Sequence, residues 1–169
     1  EYIWTLQVWD NHGGVTEESA SKWQTGIRTR DWKAQWITAS DSILPAYFRK
    51  TESISKEIRK ATLYVTSHGI YEAYVNGVRV GNDELTPGWT SYNKRLPYRT
   101  YDVTDMLQKG KNMLAAVVSP GWYSGGMNSG NPKHRYKFGN DVALLLQVNL
   151  EYADGSKGCI MTDGGWECC

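Results

Sequence analysis

The stretch YEAYVNGVRVG, residues 71–81, decides how this chain folds. Asn76-Gly77 lies between two alternating apolar runs. A two-residue primed turn needs positive φ at both central positions, which Asn and Gly tolerate best. Pairing Val75 with Val78 across that turn places Tyr71, Ala73, Val75, Val78 and Val80 on one face, and Glu72, Tyr74 and Arg79 on the other. The spacing predicts a hairpin with one face in a core and one in solvent. It leads directly into an aromatic loop, residues 82–98, NDELTPGWTSYNKRLPY.

Strand signals continue on both sides. Upstream, residues 33–38 (KAQWIT) open a new region, and 47–51 and 61–66 (ATLYVT) are strand-like. In the latter, Leu63 and Val65 alternate with Thr62, Tyr64 and Thr66. Downstream, 98–103 reads as a strand, 104–107 as one helical turn capped by Thr104 and ended by Gly110, and 112–119 as a central strand. Residues 142–152 and 157–162 form a last strand pair about the turn 153–156. The front, residues 1–10 and 20–27, reads as two strands about the turn Asn11-His12-Gly13-Gly14. Two strands do not make an independent domain, so this looks like the last hairpin of a small sandwich. The expected fold is all-β, an antiparallel jelly-roll-like β-sandwich over residues 33–169 preceded by a hairpin remnant over 1–30.

Composition narrows function by exclusion. The 169 residues carry a net charge of +1, which makes no electrostatic case for nucleic acid or an anionic membrane. No apolar run is long enough to span a bilayer. Cys159, Cys168 and Cys169 form neither a disulfide framework nor a cysteine metal site. Glu1 falls within a strand pattern and Cys169 follows closely on Trp166, so the chain reads as part of something longer, and its compartment, cytoplasmic or secreted, stays open. Eight Trp and eleven Tyr stand against two Phe. Rings with an apolar face and a polar tip suit half-wet surfaces, as in carbohydrate contact.

No phosphate-binding glycine loop, zinc-type His cluster or nucleophile elbow is present. Nothing marks a facing pair of carboxylates of the kind glycoside hydrolysis needs. Asp102 and Asp105 read as capping and turn residues. His12 and His68 read as turn residues, and His134, beside Lys133 and Arg135, as part of a solvated basic cluster. The binding signal lies in two loops. The first holds Asn82, Asp83, Trp89, Tyr92 and Asn93. The second, residues 120–140, is irregular, and loops beyond about 12–15 residues are usually functional or disordered; its rings favour order. It holds Trp122, Tyr123, Asn128, Asn131 and Arg135. Sugars take an aromatic platform under their C–H face and amides, carboxylates or Arg at their hydroxyls. Asp and Asn oxygens also build calcium sites. The competing reading makes Trp89 and Trp122 plugs at the end of the sandwich core.

The run ATLYVTSHGIYEAYVNGVRVGNDELTPGWTSYNKRLPYRTYDVTDMLQKGKN, residues 61–112, resembles the N-terminal β-sandwich module of bacterial α-L-rhamnosidases. GWYSG (121–125), ALLLQVNLEYADGS (143–156) and TDGGW (162–166) continue the resemblance. The front, with YIWTLQVWD, WQTG and DWKAQWI, resembles the end of a fibronectin-type module. The resemblance implies a multidomain glycoside hydrolase that releases terminal L-rhamnose with inversion. Its catalytic carboxylates would lie on a downstream (α/α)6 barrel, so no catalytic residue carries over and the present residues are expected to be inactive alone. It further implies that the sandwich binds L-rhamnose or a rhamnosylated glycan. A calcium ion would be held by Asn82, Asp83 and Asn128 or Asn131, with no other cofactor. The alternative is a structural domain that packs against the barrel without a sugar site.

Overall fold

In a computed structural model, which describes residues 2–39, 44–125 and 138–169, the chain separates into two units, Glu1–Asp31 and Trp32–Cys169. The first is a hairpin. β1 (Tyr2–Leu6) and β2 (Ser19–Trp23) run antiparallel, from Tyr2 opposite Trp23 to Leu6 opposite Ser19. Both are shorter than the pattern predicts, because the ladder gives way to a single Trp9–Val15 bridge and a turn. There Asp10 Oδ1 accepts the N–H groups of His12 at 2.8 Å and Gly14 at 2.7 Å. Every residue of both strands is exposed.

The second unit is a sandwich of two antiparallel sheets. Its strands are β3 (Ile37–Thr38), β4 (Ala46–Ile54), β5 (Ile58–His68), β6 (Ile70–Val75), β7 (Val78–Arg79), β8 (Arg99–Asp102), β9 (Gly110–Ser119), β10 (Ala143–Tyr152), β11 (Lys157–Met161) and β12 (Glu167–Cys168). One sheet has the order β11-β10-β5-β8, with β3 also on β10; the other has β12-β4-β9-β6-β7. The chain passes from one sheet to the other at Gly69, whose φ is 126°. A Cβ there would lie 2.2 Å from the Ser119 carbonyl oxygen, so this corner admits only glycine. No described helix is long and apolar enough to cross a membrane.

The core fills the space between the sheets. Leu63 and Val65 of β5 and Leu144, Leu146, Val148 and Leu150 of β10 face Phe48, Leu114, Ala116 and Val118 of the other sheet. The predicted hairpin forms with Val75 opposite Val78, and Asn76 and Gly77 have φ of 51° and 82°. Tyr71, Ala73, Val75 and Val80 are buried as the alternation requires. Val78 is not: it is 61% exposed, because β7 is a two-residue edge strand at the rim of the core. The turn is also clamped from outside. Asn76 Nδ2 donates to the Met106 carbonyl and to Asn112 Oδ1, and its Oδ1 accepts the Met113 N–H at 2.9 Å. Buried Asn112 in turn donates to the Gln108 and Gly110 carbonyls.

Three local expectations are corrected. Thr104 begins a 3-10 turn, Thr104–Met106, rather than capping one. The capping acceptor is Asp102, whose Oδ1 takes the Thr104 hydroxyl and N–H, and these bonds hold its carboxyl below the usual carboxylate range. Thr62, Tyr64 and Thr66 are buried along with the alternating Leu63 and Val65. Residues 32–36 cross the outer face of that sheet as a strap before β3 joins it on β10, and the Thr66 hydroxyl donates to the Pro97 carbonyl. Gln147 Oε1 accepts the Lys33 and Ala34 N–H groups at 2.7 and 3.1 Å, and the Thr162 hydroxyl donates to the Gln35 carbonyl at 2.6 Å. Trp32 packs edge-on against Tyr64 and Tyr98. Finally, β12, which the pattern does not mark, pairs with β4 and is reinforced by Arg49 and Glu167 at 2.8 Å.

Candidate functional site

Topology brings the two aromatic loops to one end. Ser119, the last residue of β9, lies opposite Ile70, the first of β6. Thr86 bridges to Tyr71 next to it, through a Tyr71 N–H to Thr86 carbonyl bond of 2.8 Å and a Thr86 hydroxyl to Tyr71 carbonyl bond of 2.6 Å. The loop after Arg79 and the loop after Ser119 therefore share the end at which β5 finishes and β10 begins, where His68 lies opposite Ala143.

Rings join these loops. Tyr123, on the one-turn helix α1 (Gly121–Ser124), lies 5.4 Å from Tyr92 at 81°. Phe138 tilts against Tyr92 at 5.0 Å. On its other side Tyr123 stacks on His68, with centroids 4.4 Å apart and planes 11° from parallel. His68 stacks in turn on Trp36 at 4.3 Å and 23°. The column thus runs Trp36, His68, Tyr123, Tyr92, Phe138. Burial lowers the His68 pKa below the ordinary imidazole value, favouring the neutral ring, and raises the Tyr92 and Tyr123 phenols. The Tyr92 hydroxyl reaches the Gly88 carbonyl at 3.5 Å. The next residue, Trp89, is 64% exposed, so it is no core plug.

The other anticipated residues fall as follows. Trp122 is half-buried on α1. Asn82 and Asp83 are exposed and belong to the hairpin side of the end. Asp83 Oδ2 accepts the Tyr101 hydroxyl at 2.9 Å, its carbonyl accepts Arg79 Nη2 at 2.8 Å, and Arg79 Nη1 donates to Glu84 at 3.0 Å. Asn128, Asn131 and Arg135 lie outside the described residues. For calcium, which takes about six to eight oxygen donors, Asn82 and Asp83 would offer their side-chain oxygens, one of which already accepts the Tyr101 hydroxyl. Among the described residues no group of three or more His, Cys, Asp or Glu side chains is arranged to hold a metal ion. Sequence reasoning passed over Trp36 and His68 as site members. A sheet-switching Gly after His68 is the one local signal, and it marks a corner rather than a stack.

The fold is thus an antiparallel β-sandwich with its loops gathered into an aromatic end. The chain belongs to the α-L-rhamnosidase N-terminal domain family, whose sequence profile matches residues 56–169. It is 38% identical over 164 residues to an α-L-rhamnosidase of Streptomyces avermitilis, covering 96% of this chain and 15% of that protein. It is 33% identical to one of Alteromonas sp. (strain LOR), covering 98% of this chain and 19% of that protein. Among solved structures, native α-L-rhamnosidase from Aspergillus terreus overlays 99% of this chain and 20% of its own with a TM-score of 0.85 at 31% identity. The S. avermitilis enzyme complexed with L-rhamnose overlays 74% of this chain and 12% of its own, with a TM-score of 0.70 at 42% identity. The chain spans 15 to 20% of the length of the curated relatives it matches.

Proposed function

We propose that the Trp32–Cys169 sandwich is a non-catalytic carbohydrate-recognition module of an α-L-rhamnosidase. Its ligand is L-rhamnose or a rhamnosylated glycan held at the aromatic end. The observation that carries this reading is Trp89, a large ring left open to solvent on a loop that an aromatic column supports from below. Its indole offers a platform for the C–H face of a pyranose. Asn82 and Asp83 open the same loop, and Trp122, Asn128, Asn131 and Arg135 follow on the second; these supply amide, carboxylate and guanidinium partners for hydroxyls. Tyr123 has one ring face against His68, so it and Tyr92 act chiefly as support. A calcium ion, where bound, would take oxygens of Asn82, Asp83 and Asn128 and give ligand hydroxyls a hard cation to meet. Rhamnoside cleavage belongs to residues beyond this chain, on the (α/α)6 barrel that the family resemblance implies. Residues 1–30 are, in this reading, the C-terminal part of a fibronectin type III-like domain.

Calorimetric titration of the chain with L-rhamnose, with and without calcium, tests the reading. Saturable heat that Trp89→Ala abolishes is the expected result; no heat in either condition at millimolar sugar overturns it. One observation favours the structural alternative. Tyr47, Met113, Ala115 and Val117 line an apolar groove of about 240 Å³ on the outer face of the β4–β9 sheet. In that reading the groove packs against the rest of the enzyme and the sugar gives no heat.

A further inference from the structure

We infer that His68 is the positioning residue of the aromatic end: its ring sets the plane of Tyr123 and, through Tyr92 and the Gly88 carbonyl, the presentation of Trp89. The ligand consequence of this role rests on the recognition reading above; the mechanical consequence does not.

The contacts run outward from the most constrained point. His68 is the last residue of β5, paired with Ala143 of β10, and is followed by the corner glycine whose Cβ would collide with the Ser119 carbonyl. Its backbone therefore has little freedom. Both faces of its ring are occupied, by Trp36 at 4.3 Å and Tyr123 at 4.4 Å, and the three planes are close to parallel. Tyr123 sits on a single helical turn, which has no stability of its own. It also lies against Gly139, where a Cβ would come within 2.2 Å of the Tyr123 hydroxyl oxygen. The imidazole and the Gly139 backbone thus clamp Tyr123, and Tyr123 presents its ring to Tyr92 at 81°. The loop carrying Tyr92 is held by short-range bonds, such as those from the Lys94 and Arg95 N–H groups to the Ser91 carbonyl. The Tyr92 hydroxyl then reaches Gly88, one residue before the exposed indole. What His68 contributes to this chain is a flat, two-faced spacer. Phe can supply the same shape; Ala cannot.

The test compares wild type, His68→Phe and His68→Ala in the full chain. It uses hydrogen exchange over residues 87–95, read by mass spectrometry, and titration with L-rhamnose. His68→Ala is expected to raise exchange over 87–95 and to weaken sugar binding by about threefold to tenfold, while His68→Phe stays within about twofold of wild type on both. Unchanged exchange over 87–95 in a folded His68→Ala protein overturns the inference, even if its melting temperature falls. So does a His68→Phe protein as perturbed as His68→Ala. Should His68→Ala not fold, Tyr123→Leu breaks the column one ring further out and must raise the same exchange. A wild type that binds no sugar overturns the recognition reading alone, and exchange over 87–95 then decides the role of His68.

Discussion

The outer faces of the two sheets have opposite fates. On the β10–β5 sheet, residues 32–36 lie across the outer face, where Trp32 packs on Tyr64 and Gln147 takes the Lys33 and Ala34 N–H groups, and Thr62 and Thr66 are buried beside them in β5. On the β4–β9 sheet the corresponding face is open, with Tyr47 and Met113 at its surface. Strand alternation alone does not separate the two, since both sheets carry apolar residues at every second position of their central strands. The difference comes from polar hooks. Gln147 accepts the Lys33 and Ala34 N–H groups and the Thr162 hydroxyl donates to the Gln35 carbonyl, so backbone groups of the strap that leave water find partners on the sheet. The lesson is that a buried amide or hydroxyl on an outward position marks a covered face.

Four substitutions probe the two faces. Leu146, on the inward side of β10, sets the scale: Leu146→Ala should cost about 2–5 kcal/mol in denaturant unfolding. Its neighbour Gln147 faces the strap. Gln147→Leu keeps the apolar volume but leaves the Lys33 and Ala34 N–H groups without their acceptor, at a cost of about 1–3 kcal/mol, with faster exchange over 32–38. A cost near zero would mean that the strap is held by its rings alone. His68, at the end of the covered face, adds a smaller, pH-dependent effect. Burial lowers its folded pKa, so the unfolded chain takes up the proton first, near the ordinary value of about 6.5. Stability is therefore full above that pH and falls as pH drops below it, until the folded ring also protonates. His68→Phe should flatten this part of a melting-temperature profile against pH. The open face should respond least. Met113→Ser is expected to change stability by no more than about 0.5 kcal/mol, and a larger loss would show that the face is not free.

The hairpin was legible because its information is local. Asn-Gly chooses the turn, the turn chooses the register, and the register sends Tyr71, Ala73 and Val75 inward. Both aromatic loops were legible as loops for the same reason, since their lengths and ring content are written along the chain. Their meeting was not. Tyr92 and Tyr123 join only because the chain changes sheets at Gly69 and brings Ser119 beside Ile70. Trp36 enters the column from the strap and His68 from the end of β5, so no periodicity links them. The strap itself, the exposure of Val78 and the β12 edge likewise depend on neighbours distant in sequence.

The clamp on Asn76 has a consequence for how the protein ages. An Asn-Gly pair is the sequence most open to deamidation, because the glycine nitrogen meets no Cβ as it attacks the side-chain carbonyl of the asparagine. Here both ends of that amide are engaged, by the Met106 carbonyl, Asn112 and the Met113 N–H. Ring closure would have to break these bonds and release the turn from β9. Isoaspartate at position 76 should therefore accumulate in the denatured chain and not in the native one, which makes its appearance in a stored sample a chemical record of unfolding.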